Sequence, residues 1–422
     1  MVASINCGHT RLLLVTKKYS AKERDSINSI GIKPIEQFNY IVKGNKLFIK
    51  QNKSEDSTFR SGTEILEINN ESAANIVNKL EALIPSDGFN KTFKEAVLNR
   101  SFSGWYKALY TDQDSMNIKI GIADQYRTTV LRPKKIKKVL IKTKVLSEEE
   151  KEQKKKDEKQ ARKLRYKGFD EYKQPNLEFN FLNADSSTAY IKIKSFSFPH
   201  ADFERFYKES FSAIKEAGSN NLIIDLRNNG GGSLKACREL FSYLVDKDFT
   251  FLKTATAKGR FVNAGSNFTK AVTAPFIAFA NLLLIKKDKE GNFYANLTGT
   301  KPMHPKKDNF KGKIYVILNG YSFSASTLFS ANLAGTGRAI FVGSESGGGF
   351  NQCTAGRIPI IDLPNSKLKL RFGLYKIAPN ASSETIGRGV FPDHMVIREL
   401  KDEIYNKDPE MEYILSTIKK AK

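Results

Sequence analysis

Two rhythms of apolar and polar residues run along this chain and predict different elements. In "FRSGTEILEINNESAANIVNKLEALI", Phe59 to Ile84, a strand is predicted over Glu64 to Ile68, followed by the turn residues Asn69 and Asn70. A helix then places Ile76, Val77, Leu80, Leu83 and Ile84 on one face at spacings of three and four. Shorter runs at Arg11 to Val15 and in "GNKLFIKQ", Gly44 to Gln51, read as strands. Beyond Asn176 whole elements alternate. "STAYIKIKSF", "NLIIDL", "KIYVILN" and "AIFVG" are strands; "DFERFYKESFSAIKEA", "GSLKACRELFSYLV" and "SASTLFSANLAG" are helices. The first helix buries Phe203, Phe206, Tyr207, Phe211 and Ile214. Such alternation, with continuously apolar strands, implies βαβ crossovers and a parallel or mixed sheet covered by helices. Active sites in such sheets lie at the carboxyl ends of the strands.

Charge sets one segment apart. From Lys134 to Lys167 there are 15 Lys or Arg and 6 Asp or Glu, a surplus of 9 within the chain's net +24. Within it "SEEEKEQKKKDEKQARKLRYK" has mixed charges and almost no apolar residue, so burial cannot offset the entropy of ordering it. It reads as an exposed loop or solvated helix joining two domains. A nucleic-acid-binding arm is the alternative, although it lacks interleaved aromatics and any recognisable DNA-binding module. The Glu64 to Ile84 pattern resembles the centre of a PDZ-like domain; a generic strand–turn–helix is the plainer reading.

Composition excludes several classes. Three cysteines, Cys7, Cys237 and Cys353, are too few and too scattered for a disulfide framework or a metal cluster. The longest apolar run, Ala274 to Ile285, is too short to span a bilayer. The N-terminus has no charged segment leading into an apolar core of the kind a signal peptide carries.

Two strand-to-helix junctions carry the candidate chemistry. In "NLIIDLRNNGGGS", Asn221 to Ser233, three glycines permit unusual backbone conformations and open a helix whose free N–H groups favour an anion. Neither "GK[ST]" nor "GxGxxG" is present, which disfavours a phosphate loop. In "YVILNGYSFSASTLF" a strand again ends in a glycine turn before a helix of small residues. A serine there would be exposed at the sheet edge, but the "GxSxG" elbow of α/β-hydrolases is absent.

Together "LIIDLRNNGGGS" and "VILNGYSFSASTLFSANLAGTGRAIFVGSESGGG" resemble the S41 family of serine peptidases, closely over Asn176 to Ile397 and more loosely upstream. The resemblance implies a ClpP/crotonase-like βαβ core of mixed α/β class with an inserted PDZ-like domain. The implied domains are an N-terminal part of the peptidase region at 1–43, a PDZ-like domain at 44–132, a charged linker at 133–175 and the catalytic core at 176–422, with an insertion at about 250–310. It also implies Ser324 as nucleophile, flanked by Ser322 and Ser326, and an oxyanion hole from the Gly232 and Ala325 amides. One branch of the family uses a lysine after the serine, but here Gly349 stands at that place. The tricorn-type branch uses Ser, His and Glu. "GHTR" is similar to its histidine motif, which points to His9, with His200 as the alternative. His304 lies in a charged insertion and His394 follows a Pro-Asp turn. Glu384, three residues before Gly387, is the implied third member, with Glu345 as competitor.

The leading expectation is therefore a serine peptidase acting by acyl transfer on a peptide or protein substrate, with no metal or organic cofactor. A catalytically inactive peptide-binding module on the same fold is the alternative, and nucleic-acid binding through Lys134–Lys167 a third class. Family members carry a helical region before the histidine, so the start at residue 1 suggests a missing leader and an extracytoplasmic location.

Overall fold

The computed structural model describes residues 1–13, 19–122, 125–135, 147–260 and 282–420. The charged segment Lys134 to Lys167 and the apolar run Ala274 to Ile285 both lie partly outside them, as do the last residues of the strand expected at Arg11 to Val15.

The fold is mixed α/β. Its central sheet orders the strands His394–Met395, Ala339–Gly343, Lys313–Leu318, Asn221–Asp225, Thr188–Ile193 and Leu177–Phe181. All pairings are parallel except the last, which is antiparallel. Successive side chains on a strand face opposite ways, and the core divides accordingly. Leu222, Ile224, Ile314, Val316 and Leu318 pack with residues of the helices Phe203–Glu216, Leu234–Ser242 and Ala325–Gly335. Ile223, Tyr315, Ile317 and Val342 pack on the other face with Ile414 and Ile418 of the C-terminal helix Pro409–Lys420. The insertion supplies part of a second sheet, in which Leu252–Ala257 pairs with Tyr375–Pro379. Asn332 on the helix Ala325–Gly335 donates to Phe251 O and accepts from the Asn380 amide, binding that helix to the second sheet. The helix is consequently buried on every side from Ala325 to Leu333.

A separate antiparallel sheet orders Phe38–Lys43, Lys46–Asn52, Glu64–Ile68, Met116–Ile122 and Gln125–Leu131. It packs on the helices Ala73–Leu83 and Thr92–Tyr110 around its own core. The boundary expected at residue 44 cuts this module. Lys43 pairs with Lys46 across a two-residue turn, and Gly44 there has φ 57°. The pairing of Ile32 with Lys134 closes the module nearer residues 32–134. On the amphipathic helix Leu83 is exposed, because the helix ends there and Ile84 turns inward instead.

The charged segment forms the helix Glu148–Leu164, capped by reciprocal bonds between Ser147 and Glu150, with no buried residue. It carries seven basic and six acidic residues, so its own surplus is a single charge. No helix among the described residues is long and apolar enough to cross a membrane.

A buried ion network fixes the glycine loop to the C-terminus. Arg227 donates to Asp225 at 3.0 and 2.7 Å and to Asp408 at 2.7 and 2.9 Å, and reaches Glu410 at 3.2 Å. Burial alone would raise the Asp408 carboxyl. The hydrogen bonds and charge of Arg227, helped by the Met411 amide and Arg398, outweigh it and hold Asp408 at about 2. Arg227→Ala strands the fully buried Asp225 without its cation and is expected to cost about 3–5 kcal/mol, read by denaturant unfolding. Because the Asp408 pKa is depressed in the folded state, its contribution is complete above 3.8 and is lost as pH falls towards 2. An acid-unfolding profile without a loss in that window would contradict the assignment.

Candidate active site

The parallel register brings three loops to one edge of the sheet. Asp225 lies beside Ile317, and Leu318 beside Gly343, so the loops after these strands are neighbours. Phe323 N donates to Asn229 O at 3.0 Å, and Asn228 and Asn319 exchange bonds of 3.0 and 3.1 Å. Ser322 is fully buried. Its hydroxyl donates to Leu226 O at 2.8 Å and accepts from the Asn319 amide, so it fastens the two loops together. The Ser326 hydroxyl is buried without a partner among the described residues.

Ser324 stands immediately before the buried helix, at φ 58° and ψ −120°. For a residue with a side chain this backbone state costs about 1–3 kcal/mol and persists only where its surroundings enforce it. Gly231, at φ 99°, presses against it: a Cβ on Gly231 would lie 2.7 Å from Ser324 Cβ and 2.9 Å from Ala325 N. The Gly231 amide is occupied by Asn229 Oδ1 at 2.9 Å. By contrast, the Gly232 and Ala325 amides have no acceptor among the described residues.

The structure brings His9 to Ser324. Nε2 lies 2.8 Å from the serine Oγ, although 315 positions separate the residues. The strand Arg11–Leu13 pairs antiparallel with Lys369–Arg371 and so docks the N-terminal segment on the core. The turn before it closes through Thr10 N to Cys7 O at 3.0 Å. The imidazole is buried against the Phe323 ring, centroids 4.7 Å apart, and Phe323 stacks on Phe93. Burial, then the charges of Arg371 and Arg11, push its pKa down to about 3. His9 is therefore neutral at physiological pH, the form that can accept a proton. The other three histidines are placed elsewhere. His200 meets Arg165, His304 meets Asp248, and the His394 ring lies against Tyr413; each is exposed.

The structure does not join Glu384 to this pair. Its residue is exposed, and His9 Nδ1 is buried without a hydrogen-bond partner among the described residues. Glu345 is committed elsewhere: it receives Arg388 at 3.0 and 2.6 Å, the Gly389 amide at 2.8 Å and Asn90 at 3.1 Å.

Sequence reasoning overlooked Asp87. Its buried carboxylate accepts the Gly8 amide at 2.7 Å and the Gly349 amide at 3.2 Å. It thus joins the histidine turn to the loop that carries Gly349. Burial pushes its carboxyl up, against the two amide bonds and the charge of Arg11. Asp87 also lines a cavity of about 480 Å³ with Cys7, Gly349, Asn351 and Gly387.

The model of peptidase family S41 matches residues 187–396, which include both loops and Ser324. Residues 187–396 are a serine-type peptidase domain of family S41. Mature CPAF shares the fold with a TM-score of 0.54 at 14% identity, over 89% of this chain and 80% of that chain. CPAF complexed with lactacystin gives the same TM-score, 0.54, and identity, 14%, over 90% and 82%. A putative S41 protease from Bacteroides fragilis NCTC 9343 aligns over 99% of this chain and 88% of that chain, at 14% identity and a TM-score of 0.41. No curated protein matches the chain by sequence.

In this S41 peptidase domain the packing of Gly231 on Ser324 offers a direct check. Gly231→Ala would drive a methyl group into the serine turn, in a backbone state that disfavours any side chain. It is expected to abolish peptide hydrolysis while far-UV circular dichroism stays unchanged. Full activity in that variant would show that the two loops are not held this tightly.

Proposed function

We propose that the chain hydrolyses peptide bonds through an acyl-enzyme, with Ser324 as nucleophile and His9 as the base that takes its proton and returns it to the leaving amine. The 2.8 Å approach of His9 Nε2 to Ser324 Oγ carries this reading, since a base must lie within hydrogen-bond reach of the proton it removes. The free Gly232 and Ala325 amides are the proposed donors to the tetrahedral oxyanion. This arrangement also favours a working peptidase over an inactive peptide-binding module, in which nothing would maintain a strained serine against a buried neutral imidazole.

Glu384 is the proposed third member, acting once substrate is bound. The support is indirect: Asn351 holds the backbone of neighbouring Ser383 at 2.8 and 2.7 Å, and Asn351 lines the same cavity as Cys7 and Asp87. In this reading the carboxylate orients and stabilises the imidazolium that forms during acylation. The branch assignment, nearer to tricorn-type peptidases than to the lysine-using ones, rests on His9 and on Gly349 at the lysine's place. We also read the module at residues 32–134 as PDZ-like, on its Glu64–Ile68 strand, asparagine turn and Ala73–Leu83 helix.

A fluorophosphonate probe should label the wild type and leave Ser324→Ala unlabelled, whereas His9→Ala should lower kcat/KM by about 10²–10⁴-fold. Labelling that survives Ser324→Ala would refute the nucleophile. Glu384→Gln should lower kcat with little change in KM; unchanged kcat would remove Glu384 from the mechanism and leave a Ser–His pair.

A further inference from the structure

Cys7, His9 and Asp87 each offer one ligand atom, and the three atoms lie within 4.8 Å of one another. Cys7 is a free, half-buried thiol, and Asp87 and His9 are buried. A second observation points to a ligand: His9 Nδ1 is buried and has no hydrogen-bond partner among the described residues. From these we infer an inhibitory site for a divalent metal ion of the zinc class, held by Cys7 Sγ, His9 Nδ1 and an Asp87 carboxylate oxygen.

The donor set decides the class of ion. Sulfur, nitrogen and oxygen together suit a borderline-soft ion such as Zn²⁺ and disfavour Ca²⁺ or Mg²⁺, which take oxygen. Bonds of about 2.0–2.3 Å at tetrahedral angles separate ligand atoms by about 3.5 Å, so a spread of 4.8 Å closes by roughly 1 Å. The cavity lined by Cys7 and Asp87 gives an ion access and leaves room for water as a fourth ligand. Charge balances as well. Cys7 releases its thiol proton on binding, and thiolate plus carboxylate cancel the two charges of the ion. The neighbouring Arg11 and Arg371, whose charges bear on His9, therefore face a neutral cluster.

Inhibition follows from the tautomer. A neutral imidazole bound to metal through Nδ1 keeps its proton on Nε2. Nε2 would then donate to Ser324 Oγ and could not accept its proton. Removing the ion restores the base, so the effect is reversible.

The inhibition arm rests on the Ser324–His9 reading; the binding arm does not. In the full chain, Zn²⁺ should suppress peptide hydrolysis, EDTA should restore it, and Mg²⁺ should have no effect. Cys7→Ala should keep its basal activity and need at least about tenfold more Zn²⁺ for half-inhibition. Independently of activity, Co²⁺ added to Ser324→Ala should give a thiolate-to-cobalt charge-transfer band that Cys7→Ala removes. Equal Zn²⁺ sensitivity in Cys7→Ala, or no such band in Ser324→Ala, would overturn the site. A cobalt band in a chain that hydrolyses no peptide would uphold the site and refute the peptidase reading instead.

Discussion

A single buried carboxylate holds together three parts of the chain that are remote in sequence. Asp87 lies just after the helix Ala73–Leu83 of the antiparallel module, and accepts one backbone amide from the N-terminal turn and one from the loop after the strand Ala339–Gly343. A buried carboxylate is costly unless it is hydrogen-bonded, so both amides must stay in place while Asp87 is ionised. The first belongs to the residue before His9. The position of the imidazole thus depends on a side chain outside the Ser324–His9 pair. Further bonds run alongside: Gly88 N donates to Asn6 O, Phe89 N to Gly387 O, and Asn90 to Glu345 and Ser346.

The serine side of the site is set by backbone rather than by charge. Gly231 can approach Ser324 only because it lacks a side chain, and Ser322 and Asn229 fasten the two loops that carry them. The helix behind Ser324 is enclosed by the central sheet and the second sheet, so its first turn has little freedom to relax the strain. The Arg227 network then fixes the glycine loop from the opposite side. Two rigid supports therefore present a hydroxyl and two vacant amides to the same edge.

Much of this was legible in the sequence. The strands Asn221–Asp225, Lys313–Leu318 and Ala339–Gly343 are continuous apolar runs, and burial on both faces requires them to be. Ser324 and His9 stood out because their neighbours form short recognisable motifs. Asp87 did not, because its partners are backbone amides, which leave no trace in residue identity. Gly44 and Asn45 read as the start of a domain but make a hairpin turn, since such a turn and a linker use the same residues. The cysteines looked too scattered to bind metal when counted alone. Folding gives Cys7 a histidine and an aspartate as neighbours, the latter eighty residues away. The place of Glu384 was beyond sequence, as a motif names a residue without fixing where its loop lies.

The pairing of Arg11–Leu13 with Lys369–Arg371 has a consequence for the order of events during synthesis. A chain leaves the ribosome from its N-terminus, and domains fold as they emerge. His9 is made before the serine, but the strand that docks its segment is made only after the serine and most of the core. A nascent chain therefore carries no assembled pair. The approach of His9 to Ser324 therefore forms late, once Lys369–Arg371 is available to pair with the N-terminal strand.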